Sequence, residues 1–437
     1  MSEIETKAGS LESSALAVSL SDRGRRAKAP PIAALMNLSL AKPELISLAA
    51  GFTDNPSLPL EMVRETLHDL LSEGDAGRAA LQYGSTPGCP HLREISACRL
   101  AAADGAERAG PYAAARTLIT TGSQQFLYLL CEALLDPGDV VLVEDPSYFV
   151  ALGTMVNSGV RLHGVETDEA GIIPESLDAV LARMDREGEL RRLKALYLVT
   201  YFQNPSGVTT TLERKAAALE ILQSYESRAG RRLLLIEDAA YRDLRFAGPD
   251  VPSALTLPGA DQHVVYTSTY SKPFSTGVRV GFGIAPQRLW EALNHLKANH
   301  DFGTPSLNQA LMRRVLEQGL FDEYLETLRV RYAKKASIMG QALEVFAPPE
   351  LEYDIPKGGL YYWAHAPEGL ATSMGSPFFQ AVFDRDTVYV PGDLCFAEDP
   401  WRPRPTNGMR LSFGGASDDQ IPEGIRRLSV ALKEFGG

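Results

Sequence analysis

Lys272 and Arg279 stand seven positions apart in Tyr266-Thr-Ser-Thr-Tyr-Ser-Lys-Pro-Phe-Ser-Thr-Gly-Val-Arg-Val-Gly281, a stretch crowded with hydroxyl side chains. A lysine amine condenses with a carbonyl to give a Schiff base, and Ser/Thr hydroxyls beside a guanidinium hold a phosphate dianion. The stretch therefore suits a phosphorylated aldehyde.

Four further segments place polar groups directly after apolar runs. Thr121-Gly-Ser-Gln-Gln125 follows Leu118-Ile-Thr and opens a helical pattern, so free backbone N–H groups face an anion; it equally reads as a plain strand-to-helix turn. Val140-Val-Leu-Val143 leads through a proline to Tyr148, an aromatic able to stack on a flat ring or simply to pack. Ala195-Leu-Tyr-Leu-Val199 leads to Asn204, whose amide suits a phenolate-like oxygen, although Asn-Pro is also an ordinary turn. Leu233-Leu-Leu-Ile236 is followed by Glu237, Asp238 and then Tyr241. A carboxylate there needs a partner, which a protonated pyridine nitrogen would supply; alone, Asp238 reads as a helix N-cap.

The elements that must carry these groups are short apolar runs alternating with helical stretches between about residues 118 and 283. Continuous apolar strands alternating with helices predict a mainly parallel sheet covered on both faces, with ligands beyond the carboxyl ends of the strands. The runs are the four above together with 160–165, 264–266 and 278–283. Beyond a charged amphipathic helix around 324–345, runs at 357–363, 387–392 and 409–413 and a final helix predict a smaller α+β domain. The expected organisation is a flexible leader over 1–22, an N-terminal arm over 23–50 joining the small domain, a large domain over 51–325 and a C-terminal small domain over 326–437. Within the arm, Ile32–Leu40 is helical in pattern and Leu45–Gly51 reads as an opening strand.

The chain has 437 residues and a formal charge of −12, which argues against nucleic acid or an anionic membrane as the main partner. Cys89, Cys98, Cys131 and Cys395 lack the spacing of a zinc site or a disulfide framework, so no metal is expected and a reducing cytoplasm is. The N-terminal segment carries acids at Glu3, Glu5 and Glu12 and fails as a signal peptide, and no run is long enough to span a membrane.

With these motifs in successive order, the chain resembles the class I/II aminotransferases of fold type I, which use pyridoxal 5′-phosphate. The branch containing 2-aminoadipate and kynurenine aminotransferases is the nearest in pattern, through Leu45-Ile-Ser-Leu-Ala-Ala-Gly51, Leu81-Gln-Tyr-Gly84, Thr121-Gly-Ser-Gln-Gln125, Gln203-Asn-Pro-Ser-Gly207 and Pro356-Lys-Gly-Gly359. The resemblance implies a mainly parallel seven-stranded sheet with helices on both faces plus a smaller α+β domain. It implies that Lys272 bears the Schiff base and shuttles a proton, that Asp238 pairs with the pyridine nitrogen, and that Asn204 and Tyr241 bond the ring oxygen. Ser123, Gln124, Thr269, Ser271 and Arg279 would hold the phosphate, Tyr148 would stack on the ring, and Tyr83 would reach the phosphate from the neighbouring subunit of a homodimer. Arg410 would grip the substrate α-carboxylate as a fork, beside Asn204 and Gly51. Arg26 is a candidate for a distal carboxylate, or else a solvated member of the charge run Arg23–Lys28.

The chain departs from the family pattern at Thr269-Tyr270, where Ser-Phe is usual, at Gly414-Gly415, and in the loop Trp401-Arg-Pro-Arg-Pro-Thr-Asn407. The expected activity is ping-pong transfer of an α-amino group to a 2-oxo acid, with 2-oxoglutarate as acceptor. Two alternatives stand beside it. One is another reaction of the same fold (β-elimination, cyclisation or oxidation of an amino acid). The other is a cofactor-binding regulator, which the short segment before Pro30 and the acidic charge disfavour.

Overall fold

The computed structural model describes residues 18–29, 35, 42 and 44–435. Residues 1–17 of the expected leader over 1–22 and most of the helical pattern at Ile32–Leu40 lie outside the described residues. Strand β1 is only Ile46–Ser47, shorter than the expected run to Gly51, and pairs in parallel with Thr387–Val388. The 44–50 segment is thereby stitched to the C-terminal part of the chain.

The main sheet is built from β2 (Thr117–Thr120), β3 (Val140–Asp145), β4 (Arg161–Asp168), β5 (Gly171–Ile172), β6 (Leu193–Val199), β7 (Leu234–Asp238), β8 (Val264–Thr269) and β9 (Gly281–Ile284). Their spatial order is β2-β9-β8-β7-β6-β3-β4-β5. The pairs β4/β3, β3/β6, β6/β7 and β7/β8 are parallel, while β9 runs antiparallel to both β8 and β2. The expected seven strands are therefore all present, and β5 adds an antiparallel eighth at the edge. Two residues, one of them glycine, give β5 no periodicity to detect. Every residue of β3, β7 and β8 is buried, which is why these strands open as apolar runs, Val140–Val143, Leu234–Ile236 and Val264–Tyr266, before their polar ends.

Helices cover both faces. Ser123–Leu134 follows β2 and buries Phe126, Leu127, Leu129, Leu130 and Cys131. Leu212–Ala229 is capped at its start by Thr211, whose side chain accepts from the Arg214 amide, and is ended by Gly230 at φ +71°.

The smaller unit has a four-stranded antiparallel sheet of β10 (Glu352–Tyr353), β11 (Tyr361–His365), β13 (Val390–Pro391) and β14 (Gly408–Ser412), with β12 being Thr387–Val388. The 27-residue helix Leu320–Phe346 lies against it, its Ala336 carbonyl accepting from the Tyr362 hydroxyl of β11, and the final helix Gln420–Phe435 packs on that helix and on the β1/β12 pair. A buried network ties this unit to the start of the chain: Lys335 Nζ and Arg331 both bond Asp54, and Lys335 also bonds the Gly414 carbonyl.

The basic run at 23–28, in the expected N-terminal arm, begins within a short helix. Asp22–Arg26 forms a short helix capped by Ser21, with Arg23 paired to Glu132 and lying over Tyr128. The described helices include none long and apolar enough to cross a membrane.

Candidate active site

The carboxyl ends of the parallel strands meet at one cavity, lined by Ser123, Gln124, Tyr148, Val199, Asp238, Ala240, Tyr241, Thr269, Ser271, Lys272 and Arg279. Chain direction explains the convergence. Strands β3, β6, β7 and β8 point the same way, and β2 joins them because two antiparallel steps through β9 restore its direction.

At the end of β7, alternation sends two adjacent carboxylates to opposite sides. Glu237 forms a fully buried ion pair with Lys215 at 2.7 Å and accepts from Thr200 and Ala254. Asp238 faces the cavity at 3 % exposure, accepting from the Tyr197 hydroxyl at 2.9 Å and the Ala240 amide at 3.2 Å. Burial pushes its carboxyl up to about 6 against those two bonds, and no cation among the described residues pairs with it. A protonated heteroaromatic nitrogen would supply one.

Lys272 follows β8 by three residues, and its Nζ donates to the Gly51 carbonyl at 2.9 Å. Loss of water lowers the pKa of its amine, and the Arg410 and Arg279 charges lower it further against an opposing effect of Tyr361. The amine is thus biased toward the neutral, nucleophilic form.

The phosphate cup is built where β2 enters its helix. Gly122 takes φ +73°, and a Cβ there would stand 2.6 Å from Arg279 Nη2. A Cβ on Gly281 would stand 2.7 Å from the Gly122 carbonyl carbon and the Ser123 nitrogen, so both positions need glycine for close approach. Arg279 itself adopts φ +49°, a conformation unusual for a non-glycine residue, and bonds Ser271 Oγ at 3.0 Å. Thr269 Oγ1 accepts the Ser271 amide at 3.0 Å, so the hydroxyl that replaces the usual serine is in place. Tyr270 turns away to bond Ser96 at 2.8 Å. Gln124 donates to Thr154, while its Oε1 is buried without a partner among the described residues. Helix N-terminal amides, hydroxyls and one guanidinium are a donor set for a dianion.

Arg410, on β14, is 2 % exposed and reaches from the smaller sheet to Asn204, which bonds the cavity-lining Tyr241. Nη1 donates to Asn204 Oδ1 at 2.7 Å and Nη2 to the Ala49 carbonyl at 2.6 Å, while Nε is buried with no partner among the described residues. Asn204 spends its other end on Tyr241, whose hydroxyl receives Nδ2 at 3.4 Å. The carboxylate fork and the ring-oxygen donors are therefore mechanically joined.

Tyr83, expected to act from a neighbouring subunit, the candidate Arg26 and the loop 401–407 all lie apart from this cavity. Tyr83 is 87 % exposed on a surface groove with Phe302, outside this chain's cavity. Arg26 reaches the Asn157 carbonyl at 3.5 Å, at the far end of the helix Phe149–Asn157 whose first turn follows Tyr148. The loop 401–407 docks on the sheet edge instead of the cavity: Trp401 stacks on His163 of β4 with centroids 3.7 Å apart, and Asp399 bonds His163 at 3.0 Å. Two residues that the sequence did not single out belong to the site. Tyr197 sits inside an apolar strand, where a hydroxyl among aliphatic neighbours was the available signal, and Tyr361 lies within hydrogen-bond distance of Tyr241.

The uncompensated carboxylate, the anion cup and the amine in the same cavity fit pyridoxal phosphate in charge and in chemical type. Comparison with known proteins agrees. The family model for aminotransferase class I and II matches residues 43–428. The 2-aminoadipate transaminase of Thermus thermophilus is 35 % identical over 414 residues, covering 93 % of this chain and 95 % of its own. Aromatic-amino-acid aminotransferase 1 of Thermococcus litoralis is 30 % identical over 416 residues, covering 95 % of this chain and 94 % of its own. A crystal structure of Pyrococcus horikoshii kynurenine aminotransferase in complex with PMP superposes with a TM-score of 0.85 at 29 % identity, covering 95 % of this chain and 97 % of that one. With family match, fold and donor set in agreement, the chain belongs to the class I and II aminotransferases and is a pyridoxal phosphate-dependent transaminase.

Proposed function

We propose that this transaminase moves the α-amino group of an acidic or aromatic amino acid to 2-oxoglutarate, with Lys272 as its catalytic residue. The observation that carries the residue assignment is the shared cavity in which Lys272, the uncompensated Asp238 and the phosphate cup stand, with Arg410 joined to it through Asn204 and Tyr241. Pyridoxal phosphate bound there supplies an aldehyde that condenses with amines and a protonated ring that accepts the electron pair left when the α-proton departs.

The protein's part is binding, orientation and proton transfer. Arg279, Ser271, Thr269, Ser123 and Gln124 hold the phosphate, and Tyr148 covers the ring. Asp238 keeps the ring nitrogen protonated. Tyr241 and Asn204 donate to the ring oxygen. Arg410 holds the α-carboxylate, which aims the Cα–H bond of the substrate at Lys272 Nζ. The lowered basicity of Lys272 favours the neutral amine that takes that proton and returns it in the second half-reaction.

The donor class follows the names of the relatives, which span 2-aminoadipate, aromatic amino acids and kynurenine. A homodimer is the proposed assembly. The exposed Leu81, Tyr83 and Phe302 form one surface groove on which a second copy would bury apolar area, with Tyr83 reaching the partner's phosphate. All four cysteines are free thiols, in keeping with a cytoplasmic location. A panel of acidic, aromatic and aliphatic amino acids against 2-oxoglutarate tests the reading. Glutamate formation with the acidic or aromatic donors is expected, and its absence across the panel would refute it.

A further inference from the structure

The hydroxyl of Tyr361 stands 3.0 Å from that of Tyr241, and no step above uses it. Tyr361 is buried on β11, its ring edge-on to Tyr241 with centroids 5.7 Å apart. The Arg410 guanidinium lies over the same ring, 4.2 Å from its centre. A Cβ on Gly51 would come 2.6 Å from the Tyr361 hydroxyl, so this glycine leaves the space that the hydroxyl fills. The Gly51 carbonyl in turn accepts from Lys272 Nζ. One phenol therefore touches the ring-oxygen donor, the carboxylate fork and the backbone that anchors the lysine.

Along a contact between two phenols, one donates and the other accepts. If Tyr241 spends its proton on the cofactor ring oxygen, the proton between the two hydroxyls belongs to Tyr361. A phenol that accepts one hydrogen bond donates its own more strongly, through mutual polarisation. We propose that Tyr361 is a positioning residue: its hydroxyl donates to Tyr241 and strengthens the bond from Tyr241 to the ring oxygen, while its ring holds the Arg410 guanidinium for the α-carboxylate. The proposal rests on the cofactor orientation given under Proposed function.

Donation to the ring oxygen draws off electron density that would otherwise help the neighbouring Lys272-linked nitrogen keep its proton. Weaker donation makes that nitrogen more basic. The charged and titratable groups facing it are Asp238, Tyr148, Tyr241, Arg279 and Arg410, all of which stay in place when the Tyr361 hydroxyl alone is removed.

Tyr361→Phe keeps the ring and deletes the hydroxyl. In a pH titration of the visible absorption of the holoenzyme, the transition is expected to move upward by about half a pH unit. The KM for the amino-acid donor is expected to stay within about twofold of wild type, because the face under Arg410 is retained. Gly51→Ala displaces the hydroxyl by crowding and is expected to shift the transition the same way. Tyr361→Leu removes the ring and is expected to raise the KM by about tenfold. A Tyr361→Phe holoenzyme whose transition coincides with wild type overturns the role of the hydroxyl, and an unchanged KM in Tyr361→Leu overturns that of the ring. A wild-type holoenzyme with no visible band that depends on Lys272 overturns the cofactor orientation and this proposal with it.

Discussion

Replacing Arg410 with lysine keeps the positive charge but removes the fork. In the native site Nη1 is committed to Asn204 and Nη2 to the Ala49 carbonyl, and the rings of Tyr361 and Phe149 lie 4.2 and 5.4 Å from the guanidinium. A lysine ammonium is a point charge at the end of a flexible stem and cannot meet a carboxylate along two parallel bonds while keeping both internal ones. One lost charge-assisted hydrogen bond costs about 1.5–3 kcal/mol, so kcat/KM for an amino-acid donor should fall roughly 10- to 150-fold. The assay is the rate of the cofactor spectral change on mixing holoenzyme with excess donor, run in parallel with the decarboxylated amine of the same donor. The amine has no α-carboxylate, so its slow reaction should be the same in both proteins. A loss of less than about threefold for the amino acid, or an equal loss for the amine, would refute the assignment of Arg410.

Asp238 is raised to about 6 in the folded chain from an ordinary 3.8, so without cofactor its charge opposes folding. That penalty is absent below pH 3.8, grows as pH rises toward 6 and is complete above it, amounting to about 2–3 kcal/mol. Asp238→Asn should therefore raise the Tm of the cofactor-free protein at pH 7.5, yet give a smaller gain in Tm on adding pyridoxal phosphate; a lower Tm in the cofactor-free variant would contradict this. Gly281→Ala, whose Cβ would press on the backbone at Gly122 and Ser123, should raise the dissociation constant for pyridoxal phosphate about tenfold or more in equilibrium dialysis. Unchanged affinity would show that the cup tolerates the shift. Arg26→Ala should leave the order of preference in a donor panel unchanged, since Arg26 lies at the far end of the helix that begins after Tyr148. A switch in preference would return Arg26 to the substrate site.

The parallel core was legible because β3, β6, β7 and β8 are buried along nearly their whole length and read as apolar runs with polar residues directly after them. That pattern located Asn204, Asp238, Tyr241 and Lys272 at the correct ends of their strands. It could not say which of Glu237 and Asp238 faces the cavity, since adjacent residues point to opposite sides and the partner of Glu237, Lys215, comes from a distant helix. Strand β9 begins at Gly281 and not at Val278, because the intervening Arg279 bends the backbone into the left-handed region to reach the cup. Tyr361 was hidden for a different reason. An aromatic residue in a short strand of the smaller sheet looks like core, and only the meeting of that sheet with β7 brings its hydroxyl to Tyr241. Pairings of this kind span more than a hundred residues and leave no local trace.

The central claim is that Lys272 is the amine that joins the cofactor. Borohydride reduction of the holoenzyme followed by peptide mass mapping tests it directly, because reduction makes the linkage permanent. The added phosphopyridoxyl mass is expected on the peptide containing Lys272, with no labelled peptide from Lys272→Ala protein. Label on another lysine of the wild type, or an equal yield from the variant, would contradict it.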